Sequence, residues 1–327
     1  MRRRVLPWVA GSAVLALVLV GGVVAANATV LSASAFVRTY LDLVARGDAA
    51  GALALPGVRL DGAQRTLLDR RAMPGLEEVE ITGEEADAAG VHRVTAEWVS
   101  DGRAGRSTFQ VERSGSRLGL FPRWRFAVTP LAVADLTVQH DLRYRVGGIL
   151  ANTPGREAAA GTAARLALFT PGRYVLEHET TYLEADPLEL LVAEPGEEFA
   201  VELDVRANER FREQVDAQVR EYLDRCAEQT VLMPSGCPFG LEVTNRIESE
   251  PSWSIAEYPE IEIAPARELG TWEVRDAAAE ARVKVRIQSL FDGSERDADE
   301  RVDFDVSFRI QFGEGEALAI RAMPAEG

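Results

Sequence analysis

The sequence has few of the residues that most metal and catalytic sites require. It contains three histidines and two cysteines in 327 residues, and Lys284 is its single lysine. The histidines, His92, His140 and His178, are far apart along the chain. Two thiolates without further ligands at suitable spacing do not complete a metal set. We therefore predict no metal site and no cofactor.

Recognised catalytic motifs are also missing. The sequence has no G-x-S-x-G, S-x-x-K or H-E-x-x-H motif and no glycine-rich phosphate loop. Paired carboxylates do occur, as at Asp303 and Asp305, but they alternate with Val302, Phe304 and Val306. Alternation of this kind is typical of the solvent face of a strand rather than of an acid and base pair. No catalytic residue is predicted.

Positive charge is scarce relative to negative charge. The chain has 36 arginines and lysines against 52 acidic residues, a formal net charge of -16. A surface this acidic repels phosphate backbones, so we exclude nucleic acid as a partner.

The longest uncharged stretch lies near the N-terminus. Val5–Ala26 is strongly apolar, and at about 1.5 Å per residue it is about 33 Å long, enough to cross a bilayer core. Arg2–Arg4 precede it, which predicts a cytoplasmic stub over residues 1–4 and a single-pass anchor over 5–28, with the rest outside the cytoplasm. The alternative is a cleavable signal peptide, since Ala26-Asn27-Ala28 resembles a cleavage site.

The two cysteines agree with export. Ten residues lie between Cys226 and Cys237, with Pro234, Gly236 and Pro238 around the second. An exported pair this close, with a turn between the two, is expected to form a disulfide.

Apolar periodicity divides the exported part into three predicted domains. Residues 29–130 and 199–327 each combine one helix with alternating strands, and residues 131–198 show short alternating runs only. The predicted fold class is α+β, with two helix-plus-sheet domains on either side of a small all-β domain.

Both helices have recognisable ends. In the first, Ser34 is the expected cap and Gly47 the expected stop. In the second, Asn208 is the expected cap. Its expected apolar stripe consists of Phe211, Val215, Val219, Tyr222 and Cys226. Further along, the acidic stretch DGSERDADE is expected at the tip of a hairpin between the two longest strands.

Three short segments carry a family resemblance. FVRTYLDLVARGDAAGALAL and the later RWRF resemble the helix and last strand of the cone-shaped, nuclear-transport-factor-2-like α+β superfamily. ALFTPGRYVLE resembles a strand turn of teicoplanin-resistance-associated membrane proteins, and the C-terminal part, with WSIAEYP, resembles actinobacterial envelope proteins. The resemblance implies serial extracytoplasmic domains behind one membrane segment.

Three tryptophans are candidates for lining a cavity. Trp124, Trp253 and Trp272 lie at strand positions of the two α+β domains. Aromatic rings in a sheet hollow can stack on sugars or lipids, although at strand spacing they are more often core residues.

These observations lead to three functional hypotheses. The first is a non-enzymatic envelope protein at the plasma membrane that binds envelope proteins or a cell-wall or lipid ligand. The second is a small-ligand receptor or enzyme that uses the cone-shaped cavity. The third is a secreted protein, released by cleavage after Ala28.

Overall fold

The computed structural model describes residues 18, 31–117, 120–153, 163–313 and 317–323. Of these, 52% lie in strands and 14% in helices. The described residues form two compact units, and neither is one continuous stretch. The second contains those within 139–141, 178–186 and 204–327, and the first contains the other described residues.

The first unit begins with two helices, α1 (Ala33–Ala45) and α2 (Ala49–Leu53). An antiparallel sheet follows in the order β1-β2-β3-β4. Its strands are β1 (Leu76–Ala86), β2 (Val91–Ser100), β3 (Arg103–Arg117) and β4 (Phe121–Phe126).

The inner face of α1 packs on this sheet. Val37, Tyr40, Leu41 and Val44 have no exposed surface and share a core with Trp98. Burial of each large apolar side chain stabilises the folded state by about 1.5–3 kcal/mol.

The rest of the first unit is made of shorter strands in two further groups. One group has the order β11-β5-β8, and in the other β10, β9, β6 and β7 are consecutive. The strands are β5 (Leu131–Gln139), β6 (Arg143–Val146), β7 (Ile149–Asn152), β8 (Ala164–Phe169), β9 (Gly172–Glu179), β10 (Leu183–Val192) and β11 (Glu198–Asp204).

The second unit is a sheet against one long helix, α3 (Glu209–Ala227). Its two longest strands, Thr271–Gln288 and Glu295–Phe312, have 18 residues each and pair with each other. The first of them also pairs with three short strands in turn. The strands are β12 (Arg206–Ala207), β13 (Arg246–Ile247), β14 (Ser252–Glu257), β15 (Ala264–Pro265), β16 (Thr271–Gln288), β17 (Glu295–Phe312) and β18 (Leu318–Met323). The start of β10, up to residue 186, belongs to this second unit and pairs with β12, Leu183 opposite Ala207.

The predicted fold class is wrong. The described chain is mostly β and is not a cone-shaped, nuclear-transport-factor-2-like α+β fold. The physical reason is the spacing of the apolar side chains, which alternate along most of the chain. They recur at helical spacing only around α1 and α3, so the rest of the described chain forms mainly strands.

No helix among the described residues is long and apolar enough to cross a membrane. The predicted anchor Val5–Ala26 lies outside the described residues, except for Val18.

Details of the helices differ from the expected ones. Ser32, not Ser34, caps α1, since its side chain accepts a hydrogen bond from the amide of Ala35. Gly47 does follow the helix end, with φ of 69°, a value that glycine adopts without strain.

In α3 the Asn208 cap is confirmed, since its side chain accepts from the amide of Phe211. The buried stripe contains Leu223 in place of Tyr222. The hairpin tip is residues 289–294, so most of the acidic stretch expected there lies within β17 instead.

Candidate functional site

The disulfide predicted from the sequence is present. Cys226 at the end of α3 is bonded to Cys237, with 5.7 Å between their Cα atoms. The enclosed loop has further support, because the Tyr222 hydroxyl donates to the Gly236 carbonyl at 2.8 Å and the Gln229 side chain accepts from the Ser235 amide at 2.8 Å. This corner of the second unit is therefore structural.

The three tryptophans lie in the cores of the two units. Trp124, in the first unit, is 7% exposed and donates from Nε1 to the Leu31 carbonyl at 2.8 Å. Trp253, in the second unit, is 6% exposed and donates to the Val231 carbonyl at 2.8 Å. Trp272 is 1% exposed and has its ring centre 6.0 Å from that of Phe211.

A cleft in the second unit has a different lining. It has a volume of about 1000 Å³, and none of the three tryptophans lines it. It is lined by a polar stripe of α3, by the segment 258–263 that follows β14, and by residues 274–277 of β16, which we call its floor. We call this the α3 cleft.

The polar stripe follows from the periodicity of α3. Glu209, Arg212, Glu213, Asp216 and Arg220 recur at three- and four-residue intervals. Residues at this spacing lie on one side of a helix. The stripe therefore runs along the cleft while the apolar stripe of the same helix is buried.

The floor of the cleft contains a local irregularity. The pairing of β16 with β17 shifts register between Val274 and Ala277, which is a β-bulge. Asp276 within it has φ of 45°, in the left-handed region that disfavours residues other than glycine. Its amide donates to Ser307 Oγ at 3.0 Å, which helps to hold this conformation. Bulges and strained residues are frequent at functional sites.

Charges of both signs line the cleft. Four arginines and six carboxylates give the lining a net charge of -2. Arg220 donates to Asp216 at 2.7 Å, and its guanidinium lies 4.5 Å from the ring centre of Tyr258. Arg275 pairs with Glu273 at 2.6 Å.

Tyr258 is held in place from its other end. Its hydroxyl donates to the carboxylate of Asp224, and this hydrogen bond raises the pKa of Tyr258 above its usual value. Partial burial of the ring and the negative charge of Asp224 act in the same direction. The tyrosine therefore remains neutral and serves as a fixed platform in the wall of the cleft.

The side chains that line the cleft are mostly charged, with Tyr258 as their aromatic member. As described, the lining has no serine, threonine, cysteine, histidine or lysine that could act as a nucleophile beside a base. Within the described ranges, no group of three or more histidine, cysteine, aspartate or glutamate residues is arranged to hold a metal ion.

The cleft could not be predicted from the sequence, because its lining residues are separated by up to about 70 positions. Each stretch by itself has the pattern of a solvent-exposed segment. A charged helix face is usually solvated. One signal of an irregular segment was present at Tyr258–Ile263, where Pro259 interrupts the alternation of apolar and polar residues and prevents a regular strand.

The fold and the cleft together define a predominantly β protein of two units with a charged cleft in the second. No protein-family model, curated protein or solved structure matches the chain.

Proposed function

We propose that this chain is a non-enzymatic binding module of the cell envelope. Val5–Ala26 holds it at the plasma membrane as a single-pass anchor, and the two units lie outside the cytoplasm. The α3 cleft takes an extended envelope ligand that carries both positive and negative groups, and peptide segments of the cell wall have this chemistry.

The lining of the α3 cleft is the observation that carries the binding role. Two arginines and three carboxylates line the cleft along α3 from Glu209 to Arg220, and the Tyr258 ring packs against Arg220. A ligand with amino and carboxylate groups can exchange partners with these ion pairs, and each charge-assisted hydrogen bond gained contributes about 1.5–3 kcal/mol.

The disulfide supports the location. Cys226 and Cys237 are the two cysteines of the chain, and they are bonded to each other. Disulfides persist in oxidising compartments outside the cytoplasm. Arg2–Arg4 ahead of the apolar segment favour an orientation with the N-terminus inside.

The location is tested by adding protease to intact protoplasts. We expect digestion of both units without lysis, while a cytoplasmic marker protein stays intact. Protection of the region after Val5–Ala26 would contradict the proposed orientation. Release of the intact chain into the medium would favour the secreted alternative.

The cleft is tested by sedimentation with isolated cell-wall sacculi. We expect the full chain in detergent to sediment with them, and Arg212→Ala/Arg220→Ala to bind about 10-fold more weakly, or about 1.4 kcal/mol. Arg210→Ala/Arg225→Ala is the matched control, since it removes the same charge from parts of α3 that do not line the cleft. Equal loss in both variants would exclude the cleft, and a wild-type chain that stays in solution would exclude the cell wall.

A further inference from the structure

The hairpin formed by β3 and β4 extends beyond the rest of its sheet. The pairing of β2 with β3 ends where Val91 lies opposite Glu112. β3 continues for five more residues, to Arg117, and pairs with β4 as far as Phe121. The pairing shifts register between Arg113 and Ser116, and β4 covers the same stretch in four residue steps, from Arg125 to Phe121. At about 3.3 Å per residue the hairpin projects about 13 Å past β2.

The charge of this hairpin is opposite to that of the chain. From Arg113 to Ala134 the sequence has four arginines, at positions 113, 117, 123 and 125, and no acidic residue. The chain as a whole has a formal net charge of -16. The hairpin is therefore a local positive region on an acidic protein.

Two of these arginines are available to a partner. Arg125 pairs with Glu112 at 2.6 Å, whereas Arg113 and Arg123 form no ion pair within the described residues. The Arg113 guanidinium lies 5.6 Å from the ring centre of Trp124, which orients it. Leu120, beside them, is 56% exposed and is followed by the partly exposed Phe121.

Neighbouring acidic side chains do not cancel this charge. Glu84 and Glu85 belong to β1, which is the opposite edge of the sheet from β4. Glu84 already accepts hydrogen bonds from Ser34 and, at 2.8 Å, from His92. Asp87 accepts from two amides of its own turn.

The hairpin lies close to Leu31, and from Leu31 the chain leads back to the apolar segment. Trp124 donates to the carbonyl of Leu31, the first residue described after that segment. Five residue steps separate Ala26 from Leu31, and they span at most about 17 Å. This reach is enough to cover the projection of the hairpin, so the hairpin tip and the apolar segment can meet the same surface.

We propose that Arg113, Leu120, Phe121 and Arg123, which we call the hairpin surface, contact an anionic lipid surface beside the anchor. The arginines meet the headgroups, and the two apolar side chains enter the interface. This proposal rests on the proposed anchoring by Val5–Ala26. It gives the first unit a fixed orientation on the membrane, with the acidic remainder held away from the lipid.

The test is hydrogen exchange of the full chain reconstituted in vesicles. One set is phosphatidylcholine alone, and the other contains phosphatidylglycerol in addition. We expect slower exchange of the amides around Leu120–Trp124 in the anionic vesicles. Arg113→Gln/Arg123→Gln should lower the ratio of docked to undocked hairpin about 30-fold, which corresponds to about 2 kcal/mol at about 1 kcal/mol per arginine.

The control variant is Arg103→Gln/Arg106→Gln, which removes two exposed arginines at the opposite end of β3. It should exchange like the wild type. Equal exchange in the two lipids, or no effect of the hairpin substitutions, would overturn the proposal.

An alkaline carbonate wash of the same vesicles reports on the anchor separately. Retained chain without hairpin protection would refute the hairpin contact and leave the proposed anchor in place. Chain that is stripped by the wash but shows lipid-dependent protection beforehand would refute the anchor and keep the hairpin contact.

Discussion

Tyr40 joins α1 to two neighbouring loops, and replacing it by phenylalanine tests that role. Its buried hydroxyl lies 2.7 Å from the Pro130 carbonyl oxygen and 2.8 Å from that of Thr170. The Thr170 amide also donates to Pro130, at 3.1 Å, so the variant leaves mainly the Thr170 carbonyl without a donor. The ring contacts with Phe109 and Phe126 are kept. We expect a loss of about 1–3 kcal/mol in the free energy of unfolding.

The difference should depend on pH. Burial raises the pKa of Tyr40 well above its usual value, and the nearby Tyr174 adds to this. Below about pH 10 the tyrosine is neutral in both the folded and unfolded states, so its contribution is complete. Above that pH the unfolded state ionises first, and the wild type loses about 1.4 kcal/mol per pH unit, while phenylalanine loses nothing. The two proteins should become equally stable at about pH 11–12.

The assay is urea unfolding followed by circular dichroism over a series of pH values. Burial raises the pKa of Tyr174 well above its usual value and that of Tyr144 to about 12. Both tyrosines are present in both proteins, so the comparison reports the loss of the Tyr40 hydroxyl together with its coupling to Tyr174. Tyr222→Phe, which removes an exposed hydrogen bond to Gly236, should cost much less near neutral pH. Equal stability of wild type and Tyr40→Phe near neutral pH, or a difference that does not shrink above pH 10, would refute this reasoning.

Two further predictions concern the disulfide and a strand glycine. Replacing both Cys226 and Cys237 by serine should lower the free energy of unfolding of the second unit by about 3 kcal/mol, because closing a loop of this length removes about that much conformational entropy from the unfolded chain. Urea midpoints equal to those of the wild type would contradict this. Gly105→Ala should destabilise the first unit by about 1–3 kcal/mol, because the added Cβ would lie 2.3 Å from the Trp98 ring. Gly83→Ala is the control: the nearest atom would be 3.9 Å away, so thermal unfolding should show little change, and equal losses would refute the packing argument.

Local features were readable from the sequence wherever the signal is short-range. The Asn208 cap and the stop of α1 just before Gly47 depend on residues within one or two helical turns. The bond between Cys226 and Cys237 followed from their being the two cysteines of the chain and close together.

The α3 cleft could not be read in the same way. Periodicity shows that one face of α3 is apolar, but the neighbour of its charged face is set by the path of the chain around Pro259 and by the bulge at Asp276. Ser34 is a similar case, since it is a plausible cap by sequence but bonds to Glu84, 50 residues away.

The sequence by itself determined the acidic surface, the apolar segment Val5–Ala26, the disulfide pair and the positions of the main helices. Tertiary structure decided which strands pair, the division of the chain into two units and the convergence of α3 with the segment 258–263. The physical reason is that capping, charge and periodicity act over a few residues, whereas strand register and cleft walls depend on contacts between segments far apart in the chain.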